Sequence, residues 1–106
     1  MTTEITPQEL KKRLDAREAL TLLDVRDGWE TKLARLENAA HIPVVEIEHR
    51  LDELDPADEI IVYCHHGIRS AAVADYLRRA GYPKAVNLTG GLDLWAETVD
   101  PSMRRY

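Results

Sequence analysis

The run Ile60-Ile61-Val62-Tyr63 is rich in β-branched residues, carries no charge and leads directly into Cys64. It is the clearest strand signal in the chain. Leu20-Thr21-Leu22-Leu23-Asp24-Val25 reads similarly, almost continuously apolar, with Asp24 and Arg26 at its C-terminal end. A strand apolar on both faces needs cover on both, which is the condition of a parallel sheet between layers of helices.

The segments between these runs supply the helices. Thr6-Pro7-Gln8-Glu9 is a helix start, with Thr6 able to cap, Pro7 suited to the first position and Glu9 able to close a capping box. Leu10 and Leu14 extend that helix to about Ala16. Apolar residues at Trp29, Leu33 and Leu36 predict a turn or two of helix, and Ala39-Ala40-His41-Ile42 a short strand stopped by Pro43. Val44, Ile47, Leu51 and Leu54 predict an amphipathic helix ending near Asp55-Pro56. Ser70 to Ala80 predicts a helix with Val73, Tyr76, Leu77 and Ala80 on one face and Gly81 to end it. Ala85-Val86-Asn87-Leu88 predicts another strand, and Gly90-Gly91 a turn into a short helix over Leu92 to Ala96. Alternating strands and helices in one unrepeated chain of 106 residues predict a single α/β domain over residues 1–106 with a mainly parallel sheet.

Composition removes several function classes. With 14 basic against 19 acidic residues and a net charge of −5, the chain lacks the basic balance of a nucleic-acid binder. No run of about 18 apolar residues is present, so no membrane span is expected. Met1 to Glu9 is polar and acidic, unlike a secretory signal, and a cytoplasmic location is expected. The single cysteine cannot close an internal disulfide. It is either a small buried hydrophobe or a reactive thiol.

The surroundings of Cys64 favour the thiol. It stands where a buried strand ends and a loop leads into a helix, and sites in open parallel sheets lie at such strand ends. Backbone N–H groups of a loop entering a helix point into the space it encloses, and a thiolate is stabilised there. Arg69 adds a permanent positive charge, His65 and His66 part of one, and Gly67 allows backbone angles closed to other residues. The segment Cys64-His65-His66-Gly67-Ile68-Arg69 therefore suits an anionic sulfur.

Taken together, several pieces resemble the rhodanese-like domains. They are Leu23-Asp24-Val25-Arg26 with Glu30 four residues on, His41-Ile42-Pro43, the loop Cys64 to Arg69, Ser70-Ala71-Ala72 and Gly90-Gly91-Leu92-Asp93-Leu94-Trp95. The resemblance covers nearly the whole chain in the family's order. It implies a mostly parallel five-stranded sheet with helices on both faces. It also implies a sulfurtransferase reaction in which Cys64 takes a sulfane sulfur and gives it to an acceptor. On that reading Cys64 and Arg69 are catalytic, Arg69 holding an anionic donor. His65, His66, Gly67 and Ile68 form the substrate cradle, and Asp24 and Arg26 stand near it. For Asp24 and Arg26 a loop-shaping role through Arg26–Glu30 or Asp24–backbone contacts is the favoured alternative. A narrower resemblance, carried by Tyr63 to Ser70 and by Val99-Asp100-Pro101-Ser102 with Arg105-Tyr106, is to the C-terminal rhodanese domain of enzymes that activate sulfur-carrier proteins. It implies a small donor such as thiosulfate or a protein persulfide, a sulfur-carrier protein as partner, and no cofactor.

The chain departs from the family at Ala40 and Val44-Val45, where glycine or a Gly-Ala pair is usual, and at His65-His66, where thiosulfate enzymes resemble an Arg-Lys pair. Thiosulfate as the physiological donor is thereby in doubt. Two other readings stay open. A loop ending in Arg at a helix start also suits phosphatases or arsenate reductases, but only four residues separate Cys64 from Arg69, one fewer than in related phosphatases. A non-catalytic interaction module is the other, although such modules usually lack the cysteine. His41 is read as structural, His49 as solvated, and Trp29 and Trp95 as core or pocket wall. No histidine spacing suits a metal, and adjacent His65 and His66 do not readily share one ion.

Overall fold

The computed structural model describes residues 3–106, so Met1 and Thr2 lie outside the described residues. Five strands form one sheet in the order β1-β5-β4-β2-β3, and every pairing is parallel. They are β1 (Glu4–Ile5), β2 (Thr21–Asp24), β3 (Ala40–His41), β4 (Ile60–Tyr63) and β5 (Ala85–Leu88). The helices are α1 (Pro7–Asp15), α2 (Gly28–Leu33), α3 (Ile68–Arg79) and α4 (Gly91–Thr98).

All four residues of β4 are buried, as their composition demands. Alternation along the strands divides them between two apolar layers. Ile60, Val62 and Cys64 join Leu23, Val25 and Ala85 beneath Val73, Ala74 and Leu77 of α3. Ile61 and Tyr63 join Leu22 and Leu88 beneath Leu10 of α1 and Leu92 and Trp95 of α4. The expected sheet covered on both faces is thus the observed one.

The capping box of Thr6 and Glu9 starts α1, with Glu9 N–H donating to Thr6 Oγ1 at 3.2 Å and Thr6 N–H to Glu9 Oε1 at 3.1 Å. Several expectations need correction. Val44 to Leu54 is not an α-helix but two 3₁₀ segments, Val44–His49 and Leu51–Glu53. The apolar pairs 44/47 and 51/54 are three apart, the 3₁₀ period, and the β-branched Val44, Val45 and Ile47 resist an α-helix. Strand β1 has only two residues and gave no periodic signal. Trp29 opens α2 on the solvent side at 60% exposed, and Tyr76 and Ala80 are not on the buried face of α3, which Ala74 completes.

The connections place the site. From β2 the chain moves outward to β3, whereas from β4 it moves the other way to β5. The carboxyl ends of β2 and β4 therefore flank a switch point, where a crevice opens. Cys64 follows the last residue of β4.

Candidate active site

Cys64 is 1% exposed, and its sulfur sits among hydrogen-bond donors. Gly67 N–H reaches Sγ at 3.1 Å, Ser70 N–H at 3.4 Å and Ser70 Oγ at 3.2 Å. Burial disfavours a thiolate and is the largest single influence. The Ser70 hydroxyl and the N–H groups of Ser70, Gly67 and His66 act together against it, and the thiol pKa lies below its ordinary value.

The N–H groups point inward because the carbonyls are held on the outside. Leu92 and Asp93, in the first turn of α4, donate their N–H groups to the carbonyls of Cys64 and His65 at 2.8 and 2.9 Å. Gly91 makes this contact feasible, since a Cβ there would lie 2.5 Å from the Cys64 carbonyl oxygen. Gly67 has φ +89° and leaves no room for a side chain against the Gly90 N–H. Asn87 of β5, a polar residue in a buried strand, donates to the Gly67 carbonyl at 3.1 Å and to Glu4 Oε1 at 3.0 Å. Its Oδ1 accepts from Ser70 Oγ at 2.5 Å, so Asn87 and Cys64 Sγ share the single proton of the Ser70 hydroxyl, which is held against the sulfur.

Arg69 does not reach into the cradle. Its Nη1 and Nη2 donate to Glu30 Oε1 and Oε2 at 2.8 and 3.0 Å, a bidentate pair. Glu30 also accepts from the Tyr106 hydroxyl at 2.7 Å and from Asp27 N–H at 3.2 Å. The Arg69 guanidinium outweighs burial and, with Tyr106 and Asp27, lowers the Glu30 pKa to about 2.

Asp24 and Arg26, placed near the cradle by the resemblance but favoured as shaping the loop, pair with each other. Arg26 is 0% exposed. Its Nε and Nη2 donate to Asp24 Oδ1 and Oδ2 at 2.9 and 2.7 Å. Its remaining donors go to the Ala34 and Glu30 carbonyls and to Tyr106 Oη at 2.7 Å. The pair braces the loops beneath the site, the role weighed as the alternative. His41 Nε2 lies 2.6 Å from the Arg26 carbonyl, a structural contact, and His49 is exposed.

Tyr106 stacks on His65 with ring centroids 3.9 Å apart and planes 11° from parallel, and Trp29 meets its edge at 5.9 Å. Burial and the neighbouring His66 lower the His65 pKa below its ordinary value. His66 lies on the surface with Nε2 3.9 Å from Asp93 Oδ2. Ile68 is 79% exposed beside the loop. His65, His66 and Asp93 bring donor atoms within 4.8 Å of one another. The histidine rings are stacked, however, at 4.0 Å and 27°, and Asp93 pairs with Arg105 at 3.1 Å.

The structure brings Cys64, its loop and Gly67 together as the sequence predicts, and adds contacts from Ser70, Glu30, Asn87 and Tyr106 that the sequence did not assign. A polar Asn87 inside a buried strand was the available signal for one of them.

A parallel α/β domain with a thiol cradled at a strand end defines the class. Residues 6–98 match the family model described as "Rhodanese-like domain", and the chain belongs to that family. It is 36% identical over 104 residues to the probable adenylyltransferase/sulfurtransferase MoeZ of Mycobacterium tuberculosis, covering 96% of this chain and 26% of MoeZ. It is 35% identical to the putative sulfurtransferase YtwF of Bacillus subtilis, covering 92% of this chain and 94% of YtwF. The structure is similar to that of a rhodanese-like domain protein of Staphylococcus aureus, with a TM-score of 0.85 and 32% identity over 100% of this chain and 99% of that one. The chain spans half or less of the length of some curated relatives it matches, 50% of one and 26% of another. No helix among the described residues is long and apolar enough to cross a membrane.

Proposed function

We propose that this domain is a sulfurtransferase that carries sulfane sulfur as a persulfide on Cys64. The observation that carries the reading is the ring of donors around Sγ from Gly67 N–H, Ser70 N–H and Ser70 Oγ. In the first step the Cys64 thiolate attacks the outer sulfur of a donor. A new S–S bond forms, the donor's S–S bond breaks, and sulfite or a thiolate leaves with the electron pair. In the second step a nucleophile, cyanide or a thiol, attacks the outer sulfur of the Cys64 persulfide and Cys64 leaves as the thiolate.

The loop from His65 to Ile68 is the proposed cradle, its backbone facing the sulfur and its side chains bordering the mouth. Family membership and relatives named sulfurtransferases support this reading. The acceptor we favour is a protein or small thiol, and a sulfur-carrier protein is a candidate partner, since one matched relative is called a putative sulfur carrier protein. The reaction needs no cofactor, and a cytoplasmic setting would keep the thiol reduced. The loop geometry suits a single sulfur atom better than a phosphate group, which sets aside the phosphatase reading.

Cys64→Ser tests the proposal, because a serine hydroxyl is a poor nucleophile at neutral pH. Transfer of sulfur from a persulfide donor to cyanide falls to the uncatalysed rate in the variant. Transfer at the parent rate would refute the assignment.

A further inference from the structure

We infer that Glu30 sets the class of sulfur donor: by occupying the Arg69 fork it removes positive charge from the mouth, which then suits organic persulfides (R–S–SH) over dianionic thiosulfate. The inference rests on the persulfide reading of Cys64 and goes on to say which donors supply the sulfur.

The loop after Cys64 carries three basic side chains, and the structure compensates the one with a permanent charge, Arg69. Both terminal nitrogens of Arg69 bind Glu30, at 2.8 and 3.0 Å, which fills the fork between them and neutralises the charge. Glu30 is buried, and Tyr106 and the Asp27 N–H fix its carboxylate in place. His65 stacks beneath the Tyr106 ring, and His66 lies on the surface toward Asp93. A guanidinium binds an anion most strongly through its planar fork, and a fork already filled by a carboxylate offers neither that geometry nor a net charge. Thiosulfate brings two negative charges to this mouth. A persulfide brings at most one on the sulfur transferred. Arg69 immediately precedes Ser70, whose N–H and hydroxyl reach Cys64 Sγ, so a freed Arg69 charge is felt at the reacting sulfur.

Glu30→Gln tests the inference, since it keeps the shape and the acceptor oxygen and deletes the charge. With thiosulfate and cyanide, KM for thiosulfate falls about fivefold, the size expected of a charge contact at a mouth where Arg69 is 38% exposed. Loading from a persulfidated small thiol or protein cysteine stays within about twofold of the parent, because a singly charged donor responds less to the freed charge. Adding Arg69→Ala to Glu30→Gln abolishes the gain, which assigns it to Arg69. If Glu30→Gln folds poorly, the parent alone supplies the answer. A compensated mouth makes its thiosulfate rate nearly independent of ionic strength, whereas an open cation would make that rate fall as salt rises.

An unchanged KM in folded Glu30→Gln, or a parent rate that falls steeply with salt, would overturn the inference and leave the persulfide reading standing. Absence of any sulfur on Cys64 from any donor would instead remove the reading on which it rests.

Discussion

At the scale of single residues, the chemistry depends on how Ser70 serves the sulfur. Its hydroxyl lies 3.2 Å from Cys64 Sγ and its N–H at 3.4 Å, so it supplies two of the contacts that offset burial. Ser70→Ala keeps the N–H and removes the hydroxyl. A hydrogen bond to a charged group is worth roughly 1.5–3 kcal/mol, so the variant's thiol pKa rises by about one pH unit or more. The rate of iodoacetamide alkylation against pH reads this directly. The parent midpoint lies below that of a free thiol, and Ser70→Ala moves it up. A midpoint unmoved by the substitution would show that the backbone donors act alone.

At the scale of elements, the loop is held by what packs behind it. Gly91, at φ +62°, opens α4 where a Cβ would meet the backbone carbonyls of Cys64 and His65 at 2.5 and 2.6 Å. Gly91→Ala displaces the loop and costs about 1–3 kcal/mol of stability, measured by urea unfolding, while the alkylation midpoint rises. Arg26→Ala leaves the buried Asp24 charge at the end of β2 without its guanidinium, keeping only the backbone N–H, and costs about 3–5 kcal/mol. Loss of activity without loss of stability in Arg26→Ala would return that side chain to the pocket.

These elements also mark where sequence reasoning stops. Apolar runs gave β2, β4, β5 and α3 because their burial is written in consecutive residues. The 3₁₀ segments after Pro43 were misread because spacings of three and four coincide over so few residues. The pairings of Glu30 with Arg69 and with Tyr106 join parts of the site through the fold. Their donors and acceptors become visible only when α2, α3 and the tail meet. Arg69 was therefore read as a free cation, when its charge is already answered.

At the scale of the whole molecule, Glu30 ties α2, α3 and the tail through Arg69 and Tyr106. Its carboxyl pKa is lowered from an ordinary 4.5 to about 2 in the folded protein. A depressed carboxyl stabilises the fold fully above its unfolded value and ceases to do so as pH falls through the folded one. Stability therefore declines between pH 4.5 and about 2 by an amount that includes Glu30. Glu30→Gln shows a shallower acid decline in urea midpoints; an identical decline would mean that other carboxylates govern it.

The account as a whole holds that Cys64 is built to carry one sulfur, and intact mass is the most direct check. The parent protein is exposed to a persulfide donor, freed of small molecules and weighed, then weighed again after cyanide. The mass rises by one sulfur atom, returns to its starting value with cyanide, and does neither in Cys64→Ser. A parent protein that gains no sulfur, or an equal gain in Cys64→Ser, would contradict the account.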